Sequence, residues 1–227
     1  MGGHPLDRPV WSALTTGWAE LSEGEGYAKR LGSDYGPFAA TADTAPESLA
    51  ALAALAPPEG VLAILEAEPQ PSPPGLEVAL SATAVQMVAE AIAPGEPAFD
   101  VVELTDADAP DMLELALLTK PGPFARRTNR LGGFIGVREQ GRLIAMAGER
   151  MRMPGYTEVS GVCTHPDARG QGYAAGLMRM VARRMLAKGE TPFLHAYADN
   201  TGAIGLYESL GFRTRRQIHV TMLARIA

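Results

Sequence analysis

Cysteine is nearly missing from this chain. Cys163 is alone among 227 residues, so no internal disulfide can form and no CxxC metal or redox pair exists. A reducing, cytoplasmic setting is the expectation that follows. Histidine is also sparse. His4, His165, His195 and His219 stand at spacings that suit no metal site, so no metal is expected. Long apolar runs are missing too. The longest apolar region, SLAALAALAPPEGVLAIL, is broken by Pro57, Pro58, Glu59 and Gly60, which excludes a membrane span there. The first residues, MGGHPLDRPVW, contain no apolar run of signal-peptide length, and Leu6 stands where a myristoylation signal wants Ser or Thr. No membrane association is expected. Excess positive charge is lacking as well. The net charge is −6, which argues against a nucleic-acid footprint and would suit a cationic small substrate.

Apolar residues make up 46% of the chain, enough to bury a core, and they are spread throughout. Two Pro/Gly-rich stretches punctuate the sequence, PQPSPPG at 69–75 and APGEP at 93–97. The second predicts a boundary, because Pro and Gly deny both helix and ladder hydrogen bonds. The chain therefore divides into a region 1–95 and a region 96–227.

Within 1–95, Thr44-Ala-Pro-Glu47 reads as a capping box opening an alanine- and leucine-rich helix that stops at Pro57-Pro58. VLAILEAE reads as a strand, paired in a hairpin with LEVALSA, and a helix is predicted from about Ala82 to Ala91. No residue set here looks catalytic, and a packing or dimerisation role fits. A homodimer is compatible with that.

From Phe99 the pattern sharpens. FDVVEL reads as a strand, and Thr105 with Asp108 caps a helix through Met112, Leu113, Ala116 and Leu117. FIGVRE, LIAMAGERM and YTEVSGVCT, turned by Gln140-Gly141 and Pro154-Gly155, predict an antiparallel meander. Ala174, Leu177, Met178, Val181 and Met185 form one apolar helical stripe ending at Gly189. FLHAYA is a strand, Asn200 caps a short helix ended by Gly211, and RQIHVTML is a final strand. The fold class is α/β, a mixed α+β sheet with helices on both faces.

One stretch asks for a function: CTHPDARGQGYAAGLM, residues 163–178. Its glycines precede a helix whose first turn has unpaired N–H groups and the positive end of the dipole. Glycine lets an anion approach that backbone, and Arg169 adds a fixed charge beside it. A plain tight turn would use the same residues. Gly170-x-Gly172-x-x-x-Gly176 also approximates a dinucleotide fingerprint, with Asp199 where a ribose-binding acid would stand. Only 28 residues follow Asp199, however, too few to complete a doubly wound sheet.

Arg169-x-x-Gly172-x-Ala174 resembles the pyrophosphate-binding signature of the GCN5-related N-acetyltransferase (GNAT) superfamily, R/Q-x-x-G-x-G/A. Asn200-Thr-Gly-Ala203-Ile-Gly-Leu-Tyr207-Glu-Ser-Leu-Gly211-Phe212 resembles its N-x-x-A-x-x-L-Y-x-x-L-G-F segment. The wording around both, FLHAYADN included, is similar to the FR47-like branch, which also contains the C-terminal domain of glycine N-acyltransferases. The resemblance covers roughly Phe99 to Ala227, and Ala174 stands where many members have Gly. It implies a GNAT acyl-CoA N-acyltransferase fold with an additional N-terminal α/β region. In two-domain relatives that region is often a degenerate copy of the same fold.

It further implies an acetyl-CoA-dependent N-acetyltransferase acting on a primary amine of a small molecule, amino acid or peptide. Backbone groups of Val162, Cys163 and Thr164 would bind the pantetheine arm. Gly161 would mark a strand bulge. Amides of Arg169, Gly170, Gln171, Gly172, Tyr173 and Ala174 would cradle the pyrophosphate of coenzyme A, with Ala203 beside them. Asn200 would bind pantetheine or simply cap its helix. Tyr207 stands at the general-acid position, and its alternative is a tyrosine on an apolar stripe. Glu158, eleven residues before Arg169, is the candidate base beside a water chain; alternation puts it on the face of Ser160 and Val162. His195 would orient substrate or water, or be structural. Arg126, Arg127 and Arg130 lie where a substrate-lining loop belongs, and would meet a substrate carboxylate or form a solvated face. Cys163 reads as a small buried residue. A non-catalytic acyl-CoA-binding or sensing module and an NAD(P)-binding domain remain as alternatives.

Overall fold

Two tight turns fold the middle of the chain. Gln140 and Gly141 both have positive φ, +51° and +83°, the backbone that a two-residue hairpin with right-handed strand twist requires. The computed structural model describes residues 3–226. In chain order the elements are α1 (Pro9–Leu14), β1 (Ser22–Glu23), β2 (Ala28–Leu31), β3 (Ala39–Thr41), α2 (Pro46–Leu55), β4 (Leu62–Glu66) and β5 (Leu76–Val88). Then follow β6 (Val102–Leu104), α3 (Ala109–Thr119), β7 (Phe134–Glu139), β8 (Arg142–Met153) and β9 (Tyr156–Thr164). The chain continues with α4 (Tyr173–Ala187), β10 (Thr191–Tyr197), α5 (Thr201–Ser209) and β11 (Arg213–Arg225).

The main sheet has eight strands in the order β4-β11-β5-β10-β9-β8-β7-β6, and a small sheet runs β1-β2-β3. β7, β8 and β9 form the expected meander. β9 and β10 are parallel neighbours and pair only from Tyr156↔Thr191 to Glu158↔Phe193. Beyond those residues the two strands part.

Alternation assigns the faces. Ile135 and Ala145 pack under α4, whereas Phe134 and Met146 pack under α3. The stripe Leu177, Met178, Val181 and Met185 of α4 is buried. At about 1.5–3 kcal/mol per side chain, that burial stabilises the helix by roughly 6–12 kcal/mol before entropy. Gly189, φ +76°, follows its C-cap as expected.

The first half departs from the sequence reading in three ways. The hairpin of LEVALSA on VLAILEAE does not form, because β11 lies between β4 and β5 and pairs with both. The helix expected from about Ala82 to Ala91 does not form: its residues up to Val88 are the last part of β5, held on one edge by β11 and on the other by β10. Its helical apolar spacing yields to ladder pairing on two sides, which its β-branched Thr83, Val85 and Val88 favour. The start of α2 is fixed by Asp43 rather than Thr44: Asp43 Oδ1 accepts from Ala45 N–H (3.0 Å) and the Ser48 hydroxyl (2.6 Å). Residue 95 thus marks a division of the sequence, while the sheet runs continuously across it. Thr105 and Asp108 form the capping box as expected.

Candidate active site

A cleft of about 820 Å³ opens where β9 and β10 part. Its walls come from Val162, Cys163 and Thr164 on β9, from His195 to Tyr197 on β10, and from the turn before α4. Gly161 makes the parting possible. With φ +63°, it sits in a register shift where Gly148 pairs with Ser160 but Met146 pairs with Cys163. That is a β-bulge, with one extra residue on β9. A Cβ there would stand 2.7 Å from Phe134, so only glycine fits. The bulge also changes the faces. Val159 and Val162 both pack with the α4 cluster, so Glu158 does not share a face with Val162. The plain alternation expected for this strand is corrected there.

The glycine turn lies at one end of the cleft. Gly170 and Gly172 have φ +78° and +81°, and no protein atom lies within 4 Å of a Cβ placed on either. Gly172 is the N-cap of α4 and offers no side-chain cap, so the first-turn N–H groups are left for a ligand. Arg169 is exposed beside them, and it lines the cleft with Ala174. Tyr173 reaches the cleft, but its hydroxyl is committed to Glu139 (2.7 Å) and Gln171 (3.1 Å), and its ring packs edge-on against Phe99.

Asn200 caps α5, its Oδ1 accepting from Ala203 N–H at 3.2 Å, and both residues line the cleft. The cap uses only the oxygen, so the Nδ2 donors remain for another partner. Tyr207 is on the same wall, half-buried, its ring edge-on to Phe212. Burial pushes its phenol above the ordinary tyrosine value, so it stays protonated at neutral pH.

Glu158 is buried and lies outside the cleft wall. Arg150 Nε and Nη2 donate to its two oxygens at 2.7 and 2.9 Å, and His195 Nδ1 lies 2.9 Å from Oε1. Burial alone would raise this carboxyl, but Arg150 and His195 outweigh it and hold it at about 2. The other side of the His195 ring is also occupied. Gln86 Oε1 accepts from Arg215, so Gln86 Nε2 is the donor that meets His195 Nε2 at 3.1 Å. The ring proton is therefore on Nδ1. Cys163 is buried, and burial pushes its thiol up to about 11 against the opposing Thr119 hydroxyl, which leaves it inert.

Arg126, Arg127 and Arg130 are not in the cleft wall. They face Asp34 and Asp106 on the surface at 2.8, 3.8 and 2.7 Å. The cationic side chains in the wall are Lys120, Arg150 and Arg169. Arg150 was missed in the sequence, although a lone arginine inside the apolar LIAMAGERM strand was the available signal. The apolar end of the cleft was missed as well: Phe38, Leu65 and Ala84 come from the first 95 residues, and Val220 and Met222 from β11.

Residues 134–220 match the model of the FR47-like protein family. A solved structure from Novosphingobium aromaticivorans DSM 12444, assigned to the acetyltransferases of the GNAT family, is 49% identical over 99% of this chain and 100% of that one, with a TM-score of 0.89. The fold is also shared with a GCN5-related N-acetyltransferase from Kribbella flavida, 19% identical over 95% of each chain, TM-score 0.66. A GCN5-related N-acetyltransferase-like protein from Streptococcus suis 89/1591 is 14% identical over 96% of this chain and 92% of that one, TM-score 0.60. No curated protein matches the chain. The chain belongs to the GNAT acetyltransferase family. It is an acyltransferase with the mixed-sheet fold of that family.

Proposed function

We propose that this protein transfers an acetyl group from acetyl-CoA to a primary amine by direct attack in a ternary complex. The parting of β9 and β10 over the cleft carries the reading, with the glycine turn at one end and Tyr207 on its wall. The pyrophosphate of coenzyme A is assigned to the amides of 169–174. The pantetheine arm lies along Val162 to Thr164, hydrogen-bonded by Asn200 Nδ2. The N–H of Val162 polarises the thioester carbonyl.

The amine nitrogen attacks the acetyl carbon, a C–N bond forms and the C–S bond breaks. Tyr207 gives its phenolic proton to the departing thiolate and regains one from solvent. The amine proton leaves to water in the cleft. Water is preferred to Glu158 because both Glu158 oxygens are engaged and its carboxyl is held at about 2. Glu158 acts as a positioning residue that fixes Arg150 and His195.

Calorimetric titration of the purified protein with acetyl-CoA, run beside NADPH, tests this reading. Saturable heat with acetyl-CoA alone, followed by thiol release on adding an amine, is the expected result. Acetyl-CoA binding without turnover on a broad amine panel would mean a sensing module. NADPH binding alone would overturn the coenzyme assignment.

A further inference from the structure

The acceptor end of the cleft is unlike its coenzyme end. Glu158 lies on β9 before the Gly161 bulge, on the far side of it from Val162 and the glycine turn. Its partner Arg150 faces the cleft there. An arginine has five N–H donors in a rigid fork. Glu158 takes two, one from Nε and one from Nη2. The other three, at the Nη1 and Nη2 tips, have no hydrogen-bond partner among the described residues. The side chain is only 9% exposed. Its guanidinium is held over the Phe38 ring at 4.8 Å, and its backbone carbonyl accepts from Trp18 Nε1 at 3.0 Å. Nη1 points toward Gly122, where a Cβ would come within 3.9 Å. A buried, immobilised arginine with half its fork unused is a receptor for a planar anion.

The rest of this end agrees. No Asp or Glu is among the residues that line the cleft, while Lys120 stands on the loop beside Arg150. A polycationic acceptor would find no counter-charge here. Phe38, Leu65, Ala84, Val220 and Met222 make the remaining wall apolar. Resting on the acetyl-transfer reading above, we infer that the acceptor is an apolar α-amino acid. Its carboxylate is held by the free fork of Arg150, and its side chain lies on the apolar wall.

The test is a matched panel. Thiol release is measured with leucine, leucinamide, isoamylamine and spermidine, and with the corresponding phenylalanine, phenylalaninamide and phenethylamine. Charge-assisted hydrogen bonds predict kcat/KM roughly ten- to hundredfold higher for the free acids than for their amides. In Arg150→Lys, which keeps a cation against Glu158 and so protects the fold, the acid-to-amide ratio should fall toward one. Thermal melting checks that this variant is folded. Calorimetry of N-acetyl-leucine and N-acetyl-leucinamide against the coenzyme A complex gives the same comparison without turnover. Equal rates for acids and amides, or a preference for spermidine, would overturn the assignment and leave the transferase reading standing. Turnover with no member of the panel, in a protein that binds acetyl-CoA, would also overturn it. Failure to bind acetyl-CoA would instead remove the reading on which it rests.

Discussion

At the scale of single residues, two side chains of the notional catalytic pair behave very differently. Tyr207 is half-buried, on the cleft wall, and raised above the usual phenol value by burial, so it carries its proton at neutral pH and has one to give. Tyr207→Phe should lower kcat about 10²–10⁴-fold while calorimetric affinity for acetyl-CoA stays within about threefold. A rate within twofold of wild type would remove the acid role. Glu158 is a matter of stability and positioning. Its folded value of about 2 lies below the unfolded value of 4.5. The stability it contributes is thus complete above about pH 4.5 and is lost as pH falls toward 2. Glu158→Gln leaves Arg150 buried and uncompensated, at a cost of about 3–5 kcal/mol near neutrality. It should also flatten the acid limb between pH 4.5 and 2, as read by urea unfolding at several pH values. The glycine turn before α4 and the Asn200 cap of α5 were legible because their motifs fix backbone shape. Arg150 was not, because its importance comes from partners eight or more residues away, Glu158 on β9 and Phe38 and Trp18 far earlier in the chain.

At the scale of elements, Gly161 shows how one backbone angle sets the cleft. Its φ of +63° makes the bulge, and the bulge lies between the part of β9 that pairs with β10 and the part that lines the cleft. Gly161→Ala would place a Cβ 2.7 Å from Phe134 as well as straining the backbone. A loss of about 1–3 kcal/mol is expected, with at least tenfold weaker acetyl-CoA binding as the bulge is pulled flat. Unchanged binding would detach the bulge from the coenzyme site. Elements with a strong local signature were readable from the sequence: the meander turned by Gln140-Gly141 and Pro154-Gly155, the Thr105 capping box, and the stripe of α4. β5 was not. Its alanine-rich run carries helical spacing, and only pairing with β10 and β11, both more than a hundred residues later, makes it a strand.

At the scale of the whole molecule, the first 95 residues complete both the sheet and the apolar wall of the cleft. β5 fills the place between β10 and β11, and Phe38, Leu65 and Ala84 face the cleft. A fragment spanning 96–227 would leave β10 without its antiparallel neighbour and β11 without both of the strands it pairs with. Such unpaired edges invite aggregation. The fragment should be insoluble or expanded in size-exclusion chromatography, and rescued by co-expression of 1–95. A soluble, monomeric fragment that binds acetyl-CoA would show that 96–227 folds alone. The interleaving of early and late strands also orders events in time. During synthesis, β4 and β5 leave the ribosome long before the strand that joins them exists. β5 can meet β10 first, but β4 waits without its strand partner, since about 125 residues separate the end of β5 at Val88 from the start of β11 at Arg213. The sheet therefore closes only after translation of β11, through contacts of large sequence separation that form slowly. A ribosome-stalled chain lacking residues 213–225 should remain protease-sensitive in β4 and in the part of β5 before Ala84, and chaperone occupancy of the nascent chain should persist until that last strand emerges.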